Sequence, residues 1–157
     1  MGAWGTDVFD DDTSLDVFDD LMKSKDQAKF VVDSLTAPVP QTLDDGEIDY
    51  SDSFEKMISA ILLAIWLDFD TKFPLAKVKY SGYIADRIEE TYGSVKDSPD
   101  FQELKKQGQF LKDQAKQWLK SLSENPELSE LCELWMENSE NYKEWKENID
   151  WVIDFVS

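Results

Sequence analysis

An all-α fold, a single-domain bundle of about six helices, is what this sequence of 157 residues predicts. Apolar residues recur at spacings of three, four and seven along most of the chain, and no segment alternates convincingly as a β-strand does. Two helix starts, a polar cap followed by proline, occur at Ser98-Pro99 and Asn125-Pro126. With 41% hydrophobic residues the chain can bury one core, so we expect one domain over residues 1–157.

The chain begins with an irregular arm, which we place at residues 1–12. Trp4 has glycines close on both sides, and because glycine weakens helices and strands alike, we expect Trp4 to anchor this arm on the domain. Thr13 and Asp16 then have the spacing of a capping box, so Thr13 is predicted to cap the first helix. Its inner face would carry Leu15, Phe18 and Met22.

A second helix is predicted from Asp26 to Leu35, because Pro38 and Pro40 stop it soon afterwards. Residues 37–49 are rich in turn formers and are predicted to be a loop, with its sharpest turn at Asp45-Gly46. From about residue 51 to 67 the chain is apolar on almost every side. In a soluble protein this pattern indicates a central helix surrounded by others.

Residues 68–82 are predicted to be a loop, because Pro74 interrupts any helix there. A short helix follows from about residue 83 to 92, and we expect Gly93 to end it. One long helix is then predicted from the Ser98 cap to Leu122, and another from the Asn125 cap through Trp135. A last helix carries an inner stripe of Tyr142, Trp145, Ile149, Val152 and Val156.

The charge of the chain limits the classes of partner that it can bind. Thirty-four acidic residues against sixteen basic ones give a formal charge of −18. Such a surface repels nucleic acid and anionic membrane, and it attracts basic proteins or cations. We therefore expect a basic protein partner, and neither a nucleic acid nor a membrane.

Residue types that most catalytic and metal sites require are scarce. The chain has no histidine and one cysteine, Cys132, so imidazole chemistry and an intrachain disulfide are excluded. Cys132 is predicted to be a small buried thiol, and its lack of a disulfide partner favours the reducing cytoplasm. Asp44–Asp49 resembles a calcium loop, but placing Gly46 at the sixth position puts Gln41 at the first. We predict no catalytic residue, no cofactor and no metal site.

The densest carboxylates lie near the N-terminus and are the candidate partner-binding residues. After Asp16 is assigned to the helix start, the remaining carboxylates are without a structural role. Tryptophans mostly fall on inward stripes, but Trp151 is rotated away from the Ile149 and Val152 stripe and is a candidate interface aromatic. The predicted contacts are Asp10, Asp11, Asp12, Asp19, Asp20 and Trp151.

Two segments carry a resemblance to a known family. The first is the opening Met1-Gly2-Ala3-Trp4-Gly5-Thr6, followed by Phe9 and the Asp11-Asp12 pair; the second is Ser129-Glu-Leu-Cys-Glu-Leu-Trp135 with Glu137 and Trp145. Together they resemble the bacterial family called domain of unknown function 4259. The resemblance implies small bacterial or phage proteins found near toxin or defence systems, and it carries no reaction and no site residues.

We therefore expect a non-enzymatic acidic binding protein of the cytoplasm. The leading hypothesis is an immunity or inhibitor protein that neutralises a basic toxin or effector by direct binding. One alternative is a phage-type DNA mimic that blocks a nucleic-acid-binding enzyme. A second alternative is a carboxylate-dependent metalloenzyme. The oligomeric state does not follow from the sequence.

Overall fold

Nine α-helices follow one another in the computed structural model, which describes residues 5–157. They are α1 (Asp12–Lys23), α2 (Gln27–Thr36), α3 (Tyr50–Leu67), α4 (Phe69–Lys79), α5 (Gly82–Val95), α6 (Pro99–Lys106), α7 (Gly108–Glu124), α8 (Glu130–Met136) and α9 (Ser139–Val156). They form one compact all-α domain, which confirms the predicted fold class. The predicted number of about six helices is too low.

Helix α3 is the centre of the fold. Every residue from Lys56 to Trp66 is buried, and α1, α2, α4, α7 and α9 all pack around the helix. A helix that is apolar on all sides can lose water contact only when neighbours cover each face. The prediction of a central helix over residues 51–67 is confirmed.

Helix α1 begins earlier than predicted. The N-cap residue is Asp11, whose carboxylate accepts a hydrogen bond from the backbone N–H of Thr13 at 2.7 Å. Thr13 already lies inside the helix, so the predicted capping box of Thr13 with Asp16 is wrong. The arm residues before this cap, 5–10, form turns and bends. The predicted anchoring role of Trp4 lies outside the described residues.

The prediction of a loop over residues 68–82 is wrong, because α4 runs straight through Pro74. Phe73 and Ala76 are buried against the core, and the ring of Phe69 stacks on that of Tyr92 at 4.1 Å between centroids. A proline inside a helix costs one hydrogen bond and some strain. Burial of these apolar side chains outweighs that cost here.

Three other helix boundaries differ from the prediction. Helix α5 continues past Gly93 to Val95, which is buried. The predicted helix from Ser98 to Leu122 is divided at Gln107 into α6 and α7. Helix α8 is capped by Ser129, whose hydroxyl accepts from the N–H of Cys132, and Asn125-Pro126 begins a turn that precedes it.

The loop before α3 depends on one glycine. Gly46 has φ of +102°, in the region that side chains with a Cβ rarely adopt. We expect Gly46→Ala to lower the free energy of unfolding by about 1 kcal/mol, measured by urea denaturation. Gly93→Ala is the control, since it lies in helix α5 with open space around it and should raise stability by up to about 1 kcal/mol. A Gly46 variant of unchanged stability would contradict this reading of the loop.

Candidate functional site

The arm is held to the domain by a polar cluster that we call the arm junction, formed by Thr6, Asp7, Lys79, Glu144 and Asn148. The Lys79 ammonium lies 3.1 Å from a carboxylate oxygen of Asp7 and donates to the side-chain oxygen of Asn148 at 2.8 Å. The amide of Asn148 donates to the hydroxyl of Thr6, which donates to Glu144. The junction thus joins the arm to the end of α4 and to the middle of α9.

Aromatic rings pack next to the arm junction, around Tyr80. Tyr80 meets Phe9 edge to face at 4.9 Å between centroids and meets Trp151 in the same way at 5.9 Å. Burial raises the pKa of the Tyr80 phenol well above its usual value, and the charge of Asp7 adds to this effect. Tyr80 therefore stays a neutral hydroxyl, and it has no hydrogen-bond partner among the described residues.

A pocket of about 380 Å³ lies beside the arm junction. Its wall combines carboxylates with phenol rings and with the start of α5. The lining residues are Asp7, Phe9, Asp10, Leu15, Lys79, Tyr80, Ser81, Tyr83 and Ile84. Asp10 is partly committed to the arm itself, because one of its oxygens accepts from the backbone N–H of Asp7 at 3.2 Å.

A family model described as domain of unknown function (DUF4259) matches residues 2–148 of the chain. The chain belongs to this family. The predicted resemblance is confirmed, and the matched residues include the whole arm junction. No curated protein and no solved structure matches the chain significantly.

In this DUF4259 domain, three carboxylates of α1 form an exposed row. Asp12, Asp16 and Asp20 are all exposed, and their spacing of four residues places them on one face, about 6 Å apart along the axis. Among residues 5–157, no lysine or arginine lies within 4.0 Å of these three carboxylates. We call this row the acidic face of α1.

Asp11, one of the predicted contacts, lies inside the protein. It is 2% exposed, and the hydroxyl of Tyr50 donates to the carboxylate oxygen that the α1 cap does not use. Asp11 is therefore not accessible to a partner in this structure. Asp16, predicted to belong to a capping box, is exposed on the helix instead. Its spacing of four from both Asp12 and Asp20 is the pattern that would have identified it.

The remaining predicted contacts, Asp10, Asp19 and Trp151, have different surroundings. Asp19 forms an ion pair with Arg87 of α5, and the hydrogen bond and charge of that guanidinium lower the pKa of Asp19. Trp151 is half-buried on α9, where it stacks on Phe155 at 4.7 Å, with the ammonium of Lys79 5.3 Å from its ring centroid. Lys79 lines both the pocket that contains Asp10 and the groove that contains Trp151.

The structure also bears on the cysteine, on metal ligands and on membrane-spanning helices. Cys132 is buried, as predicted, and burial raises the pKa of its thiol to about 11, so the thiol stays protonated at neutral pH. Within residues 5–157, no three acidic or cysteine side chains group together as a metal ion requires. Over the same residues, no helix is both long and apolar enough to cross a bilayer.

Proposed function

We propose that this protein is a non-enzymatic binding protein of the cytoplasm whose acidic face docks on a basic protein, as an immunity or inhibitor protein docks on a toxin or effector. The observation that carries the proposal is the unpaired row of Asp12, Asp16 and Asp20. A carboxylate that forms no ion pair is available to the lysine or arginine of a partner.

Helix α5 extends the acidic face. The ion pair of Asp19 with Arg87 holds α5 beside α1, and Asp86 and Glu90 are exposed near Arg87 on α5. Because Glu90 lies three residues after Arg87, the two share one side of that helix. Together with a net charge of −18, this surface steers a basic partner towards α1 and makes association weaken as salt rises.

The test uses a charge-matched pair of triple variants. The wild type captures its partner from an extract of the source cells at low salt, and binding of the purified partner is then measured by calorimetry. We expect Asp12→Asn with Asp16→Asn and Asp20→Asn to weaken binding at least about tenfold. The control, Glu133→Gln with Glu137→Gln and Glu147→Gln, removes three exposed acids from α8, its C-cap and α9, and should weaken binding less than about threefold.

Two results would overturn the proposal. One is the absence of any captured partner at low salt. The other is equal weakening by both triple variants, since that would show a response to net charge and not to the acidic face. Circular dichroism should show unchanged helix content in both variants.

The DNA-mimic alternative is favoured by one observation, the regular spacing of the α1 carboxylates at about 6 Å. Such a row would occupy the positions of DNA phosphates in the binding groove of an enzyme that acts on nucleic acid. The two functions are separated by adding duplex DNA to the captured complex. DNA that displaces this protein from its partner supports mimicry, whereas a complex that persists with DNA bound elsewhere supports the immunity or inhibitor function.

A further inference from the structure

The pocket beside the arm junction adjoins the acidic face of α1. Leu15 lines this pocket, and because it comes three residues after Asp12 and four before Asp19, those two carboxylates flank it on the helix. Tyr83 and Ile84, at the start of α5, form another part of the wall. A partner that docks on the acidic face is therefore next to this pocket.

One negative charge in the pocket wall lacks a counter-ion. Asp7 and Lys79 offset each other, since their charged groups lie 3.1 Å apart. Among residues 5–157, no lysine or arginine lies within 4.0 Å of the Asp10 carboxylate. One oxygen of Asp10 accepts from the N–H of Asp7, and the other has no donor among the same residues. The nearby charge of Arg87 is offset by its ion pair with Asp19.

Aromatic rings form much of the remaining wall. Tyr83 is 67% exposed, and its hydroxyl accepts from the guanidinium of Arg87 at 3.4 Å, which holds the ring beside the pocket. Phe9 and Tyr80 also line the pocket. Tyr80 is 7% exposed, and its hydroxyl has no hydrogen-bond partner within residues 5–157. Because buried polar groups nearly always have a partner, this hydroxyl is an acceptor that the described fold leaves unused.

We propose that this pocket receives an arginine side chain of the basic partner, an inference that rests on the function proposed for the acidic face. The guanidinium would donate to the unused oxygen of Asp10 and pack on the ring of Tyr83. A further N–H of the same group would donate to the hydroxyl of Tyr80. The aliphatic stem of the arginine would pack on Leu15 and Ile84.

Other classes of ligand match the wall less well. An anion would be repelled by Asp10, and the ammonium of Lys79 is already bound to Asp7 and Asn148. A neutral ligand would leave the charge of Asp10 without a counter-ion. Lysine could pair with Asp10, but a planar guanidinium stacks on aromatic rings and is more weakly hydrated than an ammonium. Arginine is therefore the cationic side chain that the pocket favours.

The test uses blocked tripeptides as probes, each with one variable residue between two glycines. The full-length protein, labelled with nitrogen-15, is titrated with each peptide and followed by NMR. With arginine in the middle, we expect saturable shifts of the backbone amides of Leu15, Ser81 and Tyr83, with a dissociation constant in the millimolar range. Citrulline, which has the shape of arginine without its charge, should bind at least about fivefold more weakly, and lysine at least about threefold more weakly.

Variants locate the arginine. Asp10→Asn keeps an oxygen for the N–H of Asp7 but removes the charge, so binding should weaken at least about fivefold. Tyr83→Leu and Tyr80→Phe should each weaken it about threefold, through loss of the ring face and of the acceptor. Glu133→Gln, an exposed acid on α8, is the charge-matched control and should change binding less than about twofold.

Three results would contradict the inference. They are the absence of saturable shifts at the pocket amides, equal binding of the citrulline or lysine peptide, and unchanged binding by Asp10→Asn. Each of them concerns the pocket alone, because the function of the acidic face is tested separately by its triple variant and the captured partner. A pocket that binds the arginine peptide, with a partner whose binding does not respond to that triple variant, would support the pocket and contradict the function proposed for the acidic face.

Discussion

Replacing Asp11 by alanine is expected to lower the free energy of unfolding by about 3 kcal/mol. The variant loses the N-cap of α1, where the carboxylate accepts from the N–H of Thr13 at 2.7 Å. It also leaves the hydroxyl of Tyr50, which is partly buried, without its acceptor. The loss of the cap and the loss of the buried hydrogen bond add, so this carboxylate has a far larger effect than its exposed neighbours. Urea denaturation followed by circular dichroism measures the change.

Related variants separate the two roles of Asp11. Asp11→Asn keeps an oxygen that can cap the helix and should cost about 1 kcal/mol. Tyr50→Phe should cost about 2 kcal/mol, because one carboxylate oxygen then stays buried without its donor. The double variant of Asp11→Ala and Tyr50→Phe should be more stable than the sum of the single effects predicts, by about 1 kcal/mol or more. Additive effects would disprove the coupling, and Tyr83→Phe on the exposed side of α5 should change stability little.

The second large effect is expected at Lys56, a lysine that is 5% exposed in the core. Its ammonium donates to the backbone carbonyl of Ser34 near the end of α2 and lies 4.3 Å from the ring centroid of Trp118. The last carbonyls of a helix have no partner within the helix. We expect Lys56→Met to lower the free energy of unfolding by about 2 kcal/mol, because the Ser34 carbonyl is left buried without a donor.

This effect should also depend on pH. Burial lowers the pKa of Lys56, with Glu55 and Asp52 partly opposing the shift. Between the lowered pKa in the folded protein and the usual value of about 10.4, the unfolded chain keeps a proton that the folded protein releases. The stability contributed by Lys56 therefore rises with pH in that interval, and the cost of Lys56→Met should be larger at about pH 10 than at neutral pH.

Urea denaturation of the wild type and of Lys56→Met, at neutral pH and at about pH 10, measures this difference. Other effects of alkaline pH are common to the two proteins and cancel in the comparison. Lys120→Met, at an exposed position on the same helix as Trp118, should alter stability by less than about 0.5 kcal/mol at either pH. A cost of Lys56→Met that falls as pH rises would contradict the assigned role of this lysine.

The sequence allows the interior of the fold to be predicted better than its helix boundaries. Helix α3 was predictable because apolar residues on every side have one physical solution. The start of α1 was not, since both Asp11 and Thr13 are good capping residues and the choice depends on Tyr50, which is distant in sequence. The helix through Pro74 depends on burial of Phe73 and Ala76, which local propensity does not reveal.

The candidate surfaces were only partly predictable, because they too depend on helix boundaries and on contacts between residues distant in sequence. The acidic character of α1 follows from composition, but exposure of Asp16 and burial of Asp11 follow from where the helix begins. The arm junction needs Asp7 beside Lys79, a contact between distant parts of the chain. The exposed apolar side chains of α4, Leu75 and Val78, belong to a segment predicted to be a loop, so no helical face could be assigned to them.

The central position of α3 has a consequence for how the chain is made. Helix α3 packs against α1 and α2, which are synthesised before it, and against α7 and α9, which are synthesised long afterwards. One side of this very apolar helix therefore lacks its cover while the second half of the chain is still being translated. Exposed apolar surface on a nascent chain attracts chaperones and promotes aggregation. We expect ribosome-bound chains that stop before α9 to bind chaperones, and release of these chaperones to coincide with the emergence of α9.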